Sequence, residues 1–243
     1  MTLDNGCLRE LGRQLIEEPS WTRRAKAAER LGEIFCAGAL SADERSLVEG
    51  FFRLTSFDEE ILVRRVLAES LKRTDALSRE TFLVFAADRA EVAAPLIEHS
   101  PLFEENDLLQ ILEARSVAHR LALARRFRVT EPICGLLIAS GDETLIVTLL
   151  HNRGAAIGED QLWRLIASPP IRPRVVAALK QRRALLPPRI LAGLLELHHA
   201  FSFGVPASGW CAPGEMAWRG LVAFAGRRGQ AGAERGRARP SSG

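Results

Sequence analysis

Three carboxylates crowd one short stretch of this chain. In LFEENDLL, Glu104, Glu105 and Asp107 stand side by side. Paired carboxylates can pass a proton or hold a hard cation. Acids at the first turn of a helix have a plainer use, because they complement the positive end of the helix dipole. Their place just before an apolar run favours the plainer use. A second stretch, HNRGAAI, joins His151, Asn152, Arg153 and Gly154. A histidine beside an arginine could form a small anion site. The same residues also describe a helix C-terminus, where cations suit the dipole and Asn or Gly accepts left-handed dihedrals. Arg125 and Arg126, in ARRF, read the same way.

Elsewhere the chemistry thins out. His99, His119, His198 and His199 fall at no metal-ligand spacing. Cys7, Cys36, Cys134 and Cys211 are far apart with no CxxC pair, so they are expected to be free thiols packed as small hydrophobes. No GxSxG, phosphate loop or GxGxxG is present. No catalytic, cofactor-binding or metal-ligating residue is expected, and the chain is not expected to be an enzyme.

The net charge of +3 conceals an asymmetry. Residues 1–110 carry 14 basic and 21 acidic residues, and residues 111–243 carry 19 and 9. Arginine groups recur at Arg23 and Arg24, Arg64 and Arg65, Arg115 to Arg128, and Arg172 to Arg183. Set on one surface, they could line a nucleic-acid groove. Acids interleave with them through the first half, and aromatics for base stacking are few. Solvated helix faces explain most of them.

The elements that must carry these residues are helical. Leu8, Leu11 and Leu15 repeat at helical spacing, as do Leu62, Val63, Val66, Leu67 and Leu71, and later Leu145, Ile146, Leu149 and Leu150. Alternating strand patterns are absent, and the chain has no tyrosine. Ser20, Asp88, Thr130 and Asp142 stand where helices start, and Ser41 with Glu44 has capping-box spacing. Gly141 and Gly154 fall where helices end.

Segments starting at Asp88, Arg115, Asp142 and Pro169 follow one another at steps of 27 residues. Each holds two short apolar helices. Leu96, Leu123 and Leu150 share one column. Leu109, Leu136, Trp163 and Ile190 share another. One such pair cannot bury both faces, so successive pairs must stack. Pro95 sits inside the first helix of its segment, where it removes a backbone bond and bends the helix. Pro101 stops that helix.

The run from VRRVLAESL through DRAEVAAPLIEHSPLFEENDLL to GDETLIVTLLHNRGAAI and LWRLIA resembles a family of uncharacterised bacterial proteins, domain of unknown function 2336, mainly alphaproteobacterial. The resemblance covers residues 20–197. It implies an all-α, HEAT-like fold and no activity. The expected architecture is a right-handed α-solenoid of short HEAT-like helix pairs over residues 1–200, about 27 residues per repeat in the second half. A Gly/Arg-rich tail, 201–243, is expected to be mostly disordered. No run is long enough to span a bilayer, and the N-terminus lacks a secretory pattern, so a cytoplasmic protein without membrane contact is expected.

The function these features suggest is a non-enzymatic interaction scaffold or regulatory adaptor. Its protein partner would lie along the second helices, near residues 105–114, 131–139 and 159–167. Gln110, Glu113, Gln161 and Arg164 are the candidate partner contacts. The alternative is a nucleic-acid-binding protein that uses arginine-rich helix faces.

Overall fold

Apolar residues at helical spacing, cut by a capping residue or proline at short intervals, dictate short helices with one buried stripe each. The computed structural model describes residues 5–167 and 172–202. The expected repeat start at Pro169, Cys211 and nearly all of the glycine-rich tail lie outside the described residues. Among the described residues there are thirteen α-helices and no strand, with a single isolated bridge between Val129 and Ala155. The described residues divide into two compact units, 5–140 with 154–156, and 141–153 with 157–167 and 172–202.

The first unit holds α1 (Asn5–Glu17), α2 (Trp21–Cys36), α3 (Ala42–Thr55), α4 (Ile61–Leu71), α5 (Arg79–Ala86), α6 (Ala90–His99), α7 (Glu105–Ala114), α8 (Val117–Arg125) and α9 (Glu131–Ala139). Helices α2, α4, α6 and α8 pack side by side in that order. A second row pairs α1 with α3, α3 with α5, and α7 with α9. Leu31, Phe35, Phe52, Leu67, Phe82, Leu96 and Leu123 are sealed between the rows. Phe35 meets Phe52 edge-on at 5.4 Å, and Phe82 meets Phe103 at 4.6 Å. Residues 154–156 join this unit because Val129 donates to the Gly154 carbonyl and accepts from the Ala156 amide.

The second unit holds α10 (Glu143–His151), α11 (Glu159–Ala167), α12 (Pro173–Gln181) and α13 (Pro188–Ser202), with a 3-10 turn at Arg183–Leu185. Here α10 packs on α12 and α11 on α13. Ile146, Leu150, Leu162, Ile166, Leu179, Ile190 and Leu197 form its core.

The helix starts follow the sequence signals unevenly. Ser41 and Glu44 form the expected capping box. Asp142 accepts from the amides of Thr144 and Leu145. Gly141 has a φ of 72°, the left-handed value that glycine adopts without strain. Asp88 does not cap α6. Arg89 holds the position before that helix, and the Asp88 carboxylate is taken by Arg64. Thr130 precedes α9, but its hydroxyl donates to Glu105 instead of accepting from the helix. Helix α6 runs through Pro95 and ends before Pro101.

The leucine columns divide as well. Leu96, Leu123 and Leu150 are all buried. In the other column only Ile190 is, and Leu136 is 43% exposed. The buried side chains of α9 are instead Ile133, Cys134 and Leu137.

Candidate functional site

The acidic triplet is consumed by structure. Glu104 and Glu105 straddle the start of α7, and Asp107 sits in its first turn. Asp107 accepts the Glu104 amide at 2.9 Å and two bonds from Nη2 of Arg79, at 2.8 and 3.0 Å. Glu105 accepts the Thr130 hydroxyl at 2.9 Å. Asp107 and Glu105 thus have structural partners, Glu104 lies exposed at 3.5 Å from Arg79, and Arg79 ties the starts of α5 and α7 together.

The arginines after helices act as clasps. Arg126, which follows α8, donates to the carbonyls of Ile97 at 2.8 Å and Ser100 at 2.7 Å, at the end of α6. Burial lowers its pKa from the ordinary arginine value, yet a guanidinium stays charged in proteins. Arg182, which follows α12, donates to the carbonyls of Leu150 and Asn152 at the end of α10. The same contact thus recurs in each unit. Helix ends leave carbonyls unsatisfied, and a half-buried guanidinium donates to them.

His151 is exposed at the end of α10, with Nε2 at 2.9 Å from Oε1 of Gln181. Together with Arg153, Arg182 and Leu185 these two line a cleft of about 330 Å³ in the second unit. One of its two guanidiniums, Arg182, is already committed to backbone carbonyls. The neighbouring helix ends present partial negative charge, so the expectation of a helix C-terminus describes this place better than an anion site.

The four candidate contact residues occupy two helices. Gln110 and Glu113 are exposed on one face of α7, three residues apart. Arg164 is exposed on α11. Gln161 is half-buried, and its Oε1 accepts the Gly158 amide at 3.2 Å, which gives it a structural task at the start of α11.

Two sites were not singled out from the sequence. Glu49 is a buried carboxylate that accepts the Ser78 amide at 3.0 Å and the Thr81 hydroxyl at 3.2 Å, which anchors the start of α5. The second is a cleft of about 360 Å³ lined by Leu15, Ile16, Leu54, Phe57, Arg24 and Glu59, with Thr55 and Asp58. Phe57 is 83% exposed, Leu54 57% and Ile16 44%. The available signal was an aromatic in the polar loop SFDEE, outside any apolar stripe. Among the described residues no cluster of His, Cys, Asp and Glu is placed to hold a metal ion, and no helix is long and apolar enough to cross a membrane.

With this all-helical framework in view, the comparisons give one relationship. Residues 92–197 match the model of a family described as an uncharacterised protein conserved in bacteria, DUF2336. The resemblance read from the sequence is therefore borne out over this region, which begins well after residue 20. No curated protein and no solved structure matches the chain.

Proposed function

We propose that this chain is a non-enzymatic protein-interaction scaffold or adaptor, built as an α-solenoid, whose partner lies along the second helix of each pair. The solenoid reading is supported by the packing that repeats from α2 to α4, α6 and α8 within the first unit, and by α6, α8 and α10 starting at Ala90, Val117 and Glu143, close to the 27-residue step. Handedness follows from analogy to HEAT-like folds.

One observation carries the choice of a protein partner. The exposed positions of α5, α7 and α9 are Arg79, Glu80, Leu83 and Val84, then Glu105, Asn106, Gln110 and Glu113, then Glu131, Pro132, Leu136 and Ala139. Apolar side chains mixed with four acids and one arginine suit a protein surface better than a phosphate backbone. Gln110, Glu113 and Arg164 are contact positions in this reading, with Gln161 supporting the second helix.

The test is affinity capture with the full chain from its own cell, comparing the wild type with a Gln110→Ala/Glu113→Lys/Leu136→Asp variant of unchanged melting temperature. A protein retained by the wild type and lost by the variant supports the scaffold. Recovery of nucleic acid alone, released steeply by salt, transfers the function to nucleic-acid binding.

A further inference from the structure

The geometry points to a second, separate docking site in the first unit: the cleft at residues 15–59 receives a segment of a partner protein that carries apolar anchors flanked by lysine or arginine. Phe57, Leu54 and Ile16 are large apolar side chains left in water around one depression, and a patch of this kind on a soluble surface marks an interaction site. Leu15 supplies a buried floor. The volume, about 360 Å³, is at the small end of the range for ligand clefts, roughly 300–1,000 Å³. It suits a few anchor side chains and not a broad flat interface.

Charge selects the occupant. Arg24 lines the cleft, but its guanidinium is saturated. Nε and Nη2 bind the Asp58 carboxylate at 2.7 and 2.9 Å, and Nη1 binds the Glu18 carbonyl at 2.9 Å. Glu59 and Glu60 lie close enough to add to the field that raises the Arg24 pKa, after the larger effect of the Asp58 hydrogen bond. Both are exposed. Glu17, next to Ile16, is exposed as well. Among the charged residues that line the cleft, Arg24 is matched by Asp58, so Glu59 leaves the lining with a net negative charge beside an apolar floor. An acidic segment or a phosphate backbone is repelled there, whereas a basic segment gains on both counts.

The site is testable with a defined probe. A fluorescein-labelled 12-residue peptide of leucines at helical spacing with lysine elsewhere is titrated with the full chain, and anisotropy is read. Its counterpart has glutamate for every lysine. The expected result is saturable binding of the lysine peptide, at least tenfold tighter than the glutamate peptide and weakened by added salt. Phe57→Asp and Glu59→Lys/Glu60→Lys each weaken it tenfold or more. These positions are exposed, so an unchanged melting temperature verifies folding. Gln110→Ala/Glu113→Lys leaves the binding unchanged, which separates this site from the proposed groove. Absence of binding, equal binding of both peptides, or indifference to Phe57→Asp overturns the inference. So does a dimer in sedimentation that Phe57→Asp dissolves, because the occupant is then a second copy.

Discussion

Arg64 holds Asp88 with both arms of its guanidinium, Nε to Oδ2 at 2.7 Å and Nη2 to Oδ1 at 3.1 Å. Its remaining nitrogen donates to the Asp58 carbonyl. One step earlier, Arg24 grips Asp58 in the same way and donates to the Glu18 carbonyl. Both arginines are the fourth residue of their helices, and each reaches the loop in front of the next helix of its row. The series then changes: His119 turns Nε2 toward the Asp88 carbonyl at 3.1 Å, and Arg120, in the arginine register of α8, has a buried Nε without a hydrogen-bond partner. Because a carbonyl only accepts, Nε2 is the protonated nitrogen of His119.

Arg64→Ala should destabilise the fold by about 3 kcal/mol, since it leaves a largely buried carboxylate without its counter-charge. Arg64→Lys keeps the charge but loses the fork, so it should fall between. Urea unfolding checks this, with a lower midpoint and an unchanged slope.

Arg126→Ala removes the donor for two carbonyls at the end of α6. A cost of about 1–3 kcal/mol is expected, with faster amide exchange concentrated in the last turn of α6. Equal exchange in mutant and wild type would show that solvent replaces the guanidinium freely.

Gly32 on α2 has no room for a methyl group: a Cβ there would meet the Ser70 Cβ at 2.5 Å. Gly32→Ala should therefore cost about 1–3 kcal/mol through forced separation of α2 and α4, against the gain that alanine brings to an ordinary helix. Adding Ser70→Gly should recover part of the loss in a thermal melt.

The start of α3 should loosen in acid. The Ser41 amide and hydroxyl hold the Glu44 carboxyl below its ordinary value of 4.5. A carboxyl with a lowered folded pKa stabilises above its unfolded value, and that contribution fades as pH falls through the folded value. Amide protection at residues 41–45, taken relative to the intrinsic exchange rate, should fall below about pH 4.5, and Glu44→Gln should abolish that pH dependence.

Gln161→Ala should cost about 0.5–1.5 kcal/mol, because the Gly158 amide loses its acceptor. Glu113→Ala should stay within about 0.5 kcal/mol, as exposed substitutions do. A thermal melt of the two variants separates a structural glutamine from a surface acid.

Much of the helical framework was legible because its signals are local. Ser41 with Glu44 needs only three residues of spacing, and Asp142 needs only the helix that follows it. The contacts of Asp88 and Thr130 were not legible. Each has a side chain that could cap the next helix, but a distant partner, Arg64 or Glu105, competes for the same atoms. The acidic triplet was placed correctly at a helix start, although nothing in LFEENDLL revealed that Arg79 would bind Asp107. The cleft around Phe57 was missed because Ile16, Leu54 and Phe57 come from two separate stretches, and no periodicity links them.

The amino-acid sequence by itself determined the helical character of the described residues, where several of the helices begin and a few end, and a likeness to one bacterial family, because turn chemistry and apolar spacing act within a few residues. Only the tertiary structure decided which arginines are structural, which acids are spent, and where apolar side chains gather in water. Those outcomes depend on side chains from distant segments competing for the same hydrogen bonds and the same buried volume, and that competition has no trace in local spacing.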